Sequence, residues 1–387
     1  MPFLLVFFVF AVLAGISYYL ASRFYQGFAC FFPNMRFWPI LTVFLLLAVI
    51  MTLGFGRSMI PFPDGIKHAL GLISAYYMGI FIYLLFFVAL ADVIMLVPRI
   101  MKLSFTDYRY FKGILSVTVL ILTSITCVYG FINARQINHV SYEIQLENKN
   151  DISDLNLVMI SDLHLGAVGS EGRLEKIVNE INSMNPDVVC IAGDFFDTDY
   201  ASIKNPEEAM EILRGIRSTF GTYACFGNHD AGSTNKQMVS FLEKANIRLL
   251  RDEYEIIDNR LVLVGRLDGS PIGGYGGEER KELSEFFKIE DKKLPVVVLD
   301  HNPGNIHTYR GDVDLVLCGH THKGQLFPAN LITDILYTVD YGYYRKNAQS
   351  PHVIVTSGVG YWGMPMRVGT DSEIVNIKFV DSKSVAG

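Results

Sequence analysis

Five short apolar runs in the second half of the chain each break off at a residue able to bind a metal. Leu155–Ser161 runs into Asp162-Leu163-His164, and Asp187–Ala192 into Gly193-Asp194-Phe195-Phe196-Asp197. Thr222–Phe226 runs into Gly227-Asn228-His229-Asp230, Leu294–Leu299 into Asp300-His301-Asn302, and Val313–Cys318 into Gly319-His320-Thr321-His322. Carboxylate oxygen, amide oxygen and neutral imidazole are ligands for hard to borderline divalent cations. Asp162, His164, Asp194, Asn228, His301, His320 and His322 are too many for one ordinary ion. They suit two ions about 3.5–4 Å apart that share a ligand. Glycine before Asp194, Asn228 and His320 permits a tight turn and close backbone approach. On an extended backbone the i, i+2 spacing places Asp162 with His164, and His320 with His322, on one face. The motifs contain no Cys, which disfavours an iron–sulfur cluster or a structural zinc site. One Asp-x-His or one His-x-His is a chance event, whereas five such motifs at strand ends are not.

The elements that position these residues alternate in hydrophobic period. Besides the five runs, strands are expected at Glu255–Ile257, Leu261–Val264, Val353–Ser357 and Ile374–Phe379. Helices are expected at Gly172–Met184, Glu207–Ser218, Lys236–Ala245 and Gly277–Phe287. This alternation, followed by strand-rich segments, predicts a layered α/β domain over residues 154–387 with central sheets. In such folds sites form at the C-terminal ends of the strands.

The motifs and their order resemble the calcineurin-like metallophosphoesterase family. The flanking stretches Pro186-Asp187-Val188-Val189, Gly221-Thr222-Tyr223-Ala224 and Gly319-His320-Thr321-His322-Lys323-Gly324-Gln325 resemble its membrane-associated branch, which carries N-terminal transmembrane helices. The resemblance covers roughly residues 155–379 and implies a four-layer α/β/β/α sandwich. It implies that Asp162, His164 and His322 bind a first metal, that Asn228, His301 and His320 bind a second, and that Asp194 bridges them. It further implies hydrolysis of a phosphomonoester or phosphodiester by a metal-bridging hydroxide. His229 is then the proton donor to the leaving group and Asp230 its orienting partner. Mn²⁺, Fe, Zn²⁺ and Co²⁺ all match nitrogen and oxygen ligands. A non-catalytic membrane receptor or scaffold that keeps a metal-bound fold is the alternative.

Three further residues are open between a functional and a structural reading. That branch has Gly where this chain has Lys323, which either reaches a substrate anion or is solvated. Arg367, after the glycine-rich stretch 357–363, either contacts phosphate bidentately or lies on a surface loop. Asp197 either binds metal or, as expected, fixes the loop of Asp194.

Residues 1–134 have a different character. The 387-residue chain is half hydrophobic, and its mean hydropathy is +0.29. Residues 1–140 hold nine Lys or Arg and three acids, a net of +6, so the remainder carries −12 of the total −6. An acidic domain without a basic stripe argues against nucleic acid as a partner. Four segments, near 2–21, 38–55, 72–97 and 112–133, reach the roughly 20 apolar residues needed to cross a bilayer, and Pro98 is expected to end the third. The first has no basic residue ahead of its apolar run, so it reads as a retained helix rather than a cleaved signal. Residues 135–153 read as a linker containing one strand.

Lys/Arg bias sets orientation. Arg23, Arg36, Arg99, Lys102, Arg109 and Lys112 lie in two loops on one side, and Arg57, Lys67 and Arg135 lie on the other. The expectation is an integral plasma-membrane protein with its catalytic domain outside the cytoplasm, acting on a phosphoester that the bilayer setting makes a candidate for lipid linkage. Asp92, inside the third segment, is either a functional intramembrane group or a carboxylate that reaches the interface. Five cysteines without a CxxC pair read as small buried side chains.

Overall fold

Apolar stretches of membrane length form helices here, and the shorter alternating runs form strands. The computed structural model describes residues 2–57, 60–100, 108–146, 152–166, 168, 171–197, 199–287 and 293–381. Lys102 of the orientation argument lies outside the described residues. The chain divides into two compact units, Met1–Ile132 with Met364–Met366 and Asn133–Gly363 with Arg367–Gly387.

The first unit holds α1 (Pro2–Phe28), α2 (Phe37–Phe55), α3 (Asp64–Ile100) and α4 (Tyr108–Asn133). All four are long and apolar enough to cross a membrane. Leu20, Phe24, Met51, Phe81, Leu84 and Val119 pack inside, while Leu4, Phe7, Leu46, Val93 and Ile125 face outward. Apolar side chains on the outside are what a lipid solvent requires. The third helix departs from expectation at both ends. It begins at Asp64 and continues past Pro98 to Ile100. Asp92 accepts a hydrogen bond from Tyr19 at 2.7 Å and pairs with Arg23 at 2.8 Å. A carboxylate on α3 is thus matched by a cation on α1, as a charge in a membrane segment must be.

The second unit contains β1 (Asn138–Leu146), β2 (Asn156–Ile160), α5 (Glu171–Ser183), β3 (Val188–Ala192), α6 (Pro206–Arg214), β4 (Thr222–Cys225), α7 (Asn235–Lys244), β5 (Ile247–Leu249), β6 (Glu253–Ile257) and β7 (Leu261–Gly265). It continues with α8 (Leu283–Phe286), β8 (Val296–Leu299), β9 (Leu315–Cys318), α9 (Ala329–Leu336), β10 (Gly342–Tyr344), β11 (His352–Val355) and β12 (Glu373–Asp381). Two six-stranded sheets form, in the orders β1-β12-β2-β3-β4-β5 and β10-β11-β9-β8-β7-β6. The central strands are parallel: β2 to β5 in the first sheet, and β7, β8, β9 and β11 in the second.

Successive strand residues point to opposite faces. Leu157, Met159, Cys190, Leu263, Val297 and Leu317 form the core between the sheets. Val158, Ile160 and Ile191 face outward onto Leu174, Ile181, Leu213 and Phe241 of α5, α6 and α7. On the far side, Val264, Val298 and Val316 are covered by Phe287, Ile306 and Tyr309. The result is the four-layer α/β/β/α arrangement, with a thin last layer of short helical turns and loops. Both faces of each central strand are buried, so its sequence is continuously apolar until the strand ends.

Two local expectations change. Residues 277–287 give only the single turn α8. Gly276 and Gly277 hold φ of 72° and 102°, and the Lys281 N–H donates to Asp252 at 2.8 Å instead of to a helical carbonyl. Residues 138–146, within the stretch read as a linker, form an edge strand paired throughout with β12. Ile144 is buried there while Ser141, Glu143 and Gln145 are exposed, the alternation of a half-buried strand.

Candidate metal centre

Five strand ends deliver the seven candidate ligands to one place. Asp162 and His164 follow β2, Asp194 follows β3, Asn228 follows β4, His301 follows β8, and His320 and His322 follow β9. They gather in two sets. In the first, His164 Nε2 lies 3.1 Å from His322 Nε2, and Asp162 Oδ1 lies 3.4 Å from His322 Nε2 and 3.9 Å from His164 Nε2. In the second, His320 Nδ1 lies 2.9 Å from Asn228 Oδ1 and 3.3 Å from His301 Nε2. Asp194 Oδ2 stands between them, 3.2 Å from His301 Nε2 and 3.6 Å from His164 Nε2. Asp162, His164 and His322 form one group able to hold an ion, and Asp194, His301 and His320 another.

The donor set fits cations. Two buried imidazoles that face each other through Nε2 at 3.1 Å, beside a carboxylate, leave lone pairs converging on one point. Burial pushes His164 down to about 3, His320 down to about 4 and His322 well below the usual histidine range, so all three are neutral ligands near pH 7. His301 Nδ1 lies 2.7 Å from the Ala192 carbonyl, and donation there frees Nε2 for the site. Burial alone lowers His301, but the Asp194 carboxylate beside it raises it well above the usual range. Burial likewise opposes ionisation of Asp194, yet His301 holds it below the ordinary carboxylate range. Burial lifts Asp162 to about 6.

The backbone that achieves this is not the extended one expected. Asp162, His164, Asp194, His320 and His322 hold φ between 47° and 72°, the left-handed region that costs a non-glycine residue about 1–2 kcal/mol. Each i, i+2 pair therefore converges through a left-handed turn rather than by strand alternation. Cross-loop hydrogen bonds maintain the strain. Asp162 N–H donates to the Gly193 carbonyl at 2.9 Å, His164 N–H to Asp194 at 3.0 Å and Gly360 N–H to Asp162 at 3.0 Å. Gly227 is required by close approach, since a Cβ there would land on the Asp194 carboxylate.

His229 is half-buried at the edge of the site. Its ring centroid lies 5.2 Å from that of His164 and 6.0 Å from that of Trp362. Asp197 offers a carboxylate oxygen within 4.8 Å of ligand atoms of both His164 and His229. The expected partner, Asp230, is used elsewhere. Its two oxygens accept from the N–H groups of Phe196 at 3.0 Å and Gly227 at 2.8 Å, tying the second and third motif loops together.

The two candidate phosphate contacts are also occupied. Arg367 is fully buried. It donates to the carbonyls of Ser357 at 2.7 Å, Gly360 at 2.7 Å and Asp371 at 2.9 Å, and Nη2 lies 3.4 Å from His322 Nδ1. Lys323 sits at φ 49°, ψ 40°, a conformation natural to Gly, and its Nζ lies 4.1 Å from the Tyr341 ring centroid. Asp300, beside the candidate ligand His301, points away and pairs with Arg280 at 2.7 Å and Tyr309 at 2.6 Å.

A cavity of about 350 Å³ opens on the site, lined in part by Asp194, His229, His322, Ile332 and Trp362. Trp362 and Ile332 were not singled out in the sequence. An isolated Trp in the glycine-rich stretch 357–363 was the available signal.

Residues 155–324 match the model of the calcineurin-like phosphoesterase family. The chain is 31% identical to a transmembrane protein with metallophosphoesterase domain from Danio rerio, over 88% of this chain and 80% of that protein. It is 29% identical to an uncharacterised metallophosphoesterase of Campylobacter jejuni, over 78% of this chain and 79% of the relative. It is 26% identical to the UDP-2,3-diacylglucosamine pyrophosphatase LpxG of Chlamydia trachomatis, over 54% of this chain and 78% of that enzyme. A cluster fitted to divalent cations at the strand ends, four membrane-length helices and a match to most of a transmembrane relative place this chain in the calcineurin-like phosphoesterase family, as a membrane-associated metal-dependent hydrolase.

Proposed function

We propose that the chain hydrolyses a phosphomonoester or phosphodiester at the membrane surface with two divalent cations. The observation that supports this reading is the position of Asp194 Oδ2, within 3.6 Å of a nitrogen in each ligand set. In this reading Asp162, His164 and His322 hold one ion, Asn228, His301 and His320 hold the other, and Asp194 serves both. Such a pair supplies Lewis acidity toward phosphoryl oxygen and a reactive water near neutral pH. The protein's own contribution is to fix the ligands, to screen the site with Trp362 and to supply a proton. His229 stands at the rim of the cavity, where it delivers that proton to the departing oxygen. The Asp197 carboxylate, within 4.8 Å of a His229 ring nitrogen, supports a reading in which Asp197 rather than Asp230 orients His229.

The relative LpxG carries a lipid substrate in its name. Together with the membrane helices, this favours a lipid-linked phosphoester over a soluble one. The Lys/Arg bias near the helix ends supports an orientation with the hydrolase outside the cytoplasm. Detergent-purified chain with added Mn²⁺ should hydrolyse bis-p-nitrophenyl phosphate or p-nitrophenyl phosphate. Asp194→Asn should lower that rate sharply, because the charged ligand shared by both ions is replaced by a neutral amide. Equal rates for the two proteins would refute the assignment.

A further inference from the structure

The helix α9 lies beside the site and buries none of its eight residues. Leu331, Ile332, Ile335 and Leu336 are all exposed, Ile335 at 82% and Leu336 at 71%. Phe327, just before the helix, and Trp362, across the cavity mouth, are exposed as well. Thr333 forms the inner face of the helix. Its hydroxyl donates to Asp340 at 2.7 Å, and Ala329, Ile332 and Thr333 line the cavity over the metal ligands. Trp362 is fixed in turn by Gln325, which accepts from its N–H at 2.8 Å and donates to its carbonyl at 3.0 Å. Exposed aliphatic and aromatic side chains therefore lie beside the mouth of a polar cavity, with Ile332 and Trp362 lining it. Apolar patches rimming a site mark a surface that is covered in use.

The chain itself indicates what covers this one. It carries four membrane-length helices, and α4 ends at Asn133 while β1 begins at Asn138. That connection reaches at most about 18 Å when fully extended, so the hydrolase cannot leave the vicinity of a bilayer. Short helices with bulky aliphatic side chains and a nearby Trp are the chemistry of interfacial insertion.

We propose that α9, Phe327 and Trp362 form a docking lip that inserts into the headgroup–acyl boundary, so that the site takes its phosphoester from lipid at the bilayer surface. This rests on the proposed function for the chemistry, but the docking itself is tested without turnover. Trp38 and Trp362 are the two tryptophans of the sequence, so Trp38→Phe leaves Trp362 as the sole reporter. The full-length Trp38→Phe chain, loaded with Mn²⁺, is reconstituted into nanodiscs of phosphatidylcholine with or without bromine at carbons 6 and 7 of an acyl chain. Interfacial helices bury their apolar face roughly 5–10 Å deep, so brominated lipid should quench Trp362 emission about twofold. Adding Ile335→Asp and Leu336→Asp should restore the unquenched emission while hydrolysis of p-nitrophenyl phosphate stays unchanged, which shows that the fold is intact.

Equal emission in both lipids overturns the proposal, and so does quenching that persists in the double-Asp variant. Unquenched emission with two chains per disc gives the face to a second copy and overturns it likewise. Quenching without turnover of any phosphoester leaves the docking lip standing and removes the hydrolytic reading. Turnover without quenching does the reverse.

Discussion

His229 lies beside the seven clustered side chains, lining the cavity that opens on them, and belongs to neither of the two proposed ligand sets. A proton donor matters most when the leaving oxygen is a poor one. His229→Ala should therefore lower kcat about 10²–10⁴-fold for an alkyl phosphoester, with little effect on an ester of p-nitrophenol and no loss of bound metal. Parallel losses on both esters would contradict the donor role. The seven candidate ligands were legible because each interrupts an apolar strand, and a polar residue at that point has no packing reason to be there. The conformation that gathers them was not legible. Alternation predicts an extended pair, whereas Asp162, His164, His320 and His322 are left-handed, held there by loops distant in sequence. The surroundings of Arg367 were not legible either, since a buried Arg and a surface Arg look alike until the carbonyls around it are known. Asp230 and Asp197 are both close to the motifs in sequence, and only the fold shows which of them the backbone amides consume.

At the scale of elements, the strand-end loops are tied to one another and to the segment 357–371 by hydrogen bonds. Arg367 fastens that segment to itself, donating to the carbonyls of Ser357, Gly358, Gly360 and Asp371. Gly360 N–H in turn donates to the Asp162 carbonyl at 3.0 Å. Replacing Arg367 by Met leaves buried carbonyls without donors. The expected cost is about 3–5 kcal/mol in denaturant unfolding of the metal-free chain. A loss under about 1 kcal/mol would show that the guanidinium is dispensable. The strands β2, β3, β4, β8 and β9 were readable from continuous apolar runs, which two-sided burial demands. Short elements were not. β5, β10 and α9 have three, three and eight residues, below the length at which periodicity is distinctive. The helix expected at 277–287 failed because Arg280 and Lys281 make tertiary contacts that override local preference.

At the scale of the molecule, an apolar four-helix region precedes a hydrolase that is apolar inside and acidic overall, and both characters are plain in composition. The side of the membrane is a separate matter, resting on loop charge. With both ends of a four-span region on the same side, a cysteine introduced near the C terminus, at Ser382, should react with a membrane-impermeant maleimide in intact cells. Labelling only after the membrane is broken would place the hydrolase in the cytoplasm. The claim beneath all of this is that seven side chains hold a pair of cations. Calorimetric titration of the metal-free chain with Mn²⁺ near pH 7 tests it directly. Two ions should bind per chain with release of protons, because the Asp194 carboxylate raises the affinity of His301 for a proton and a metal competes for the same Nε2, and phosphoesterase activity should appear with them. Binding of a single ion, or activity that survives complete removal of metal, would contradict it.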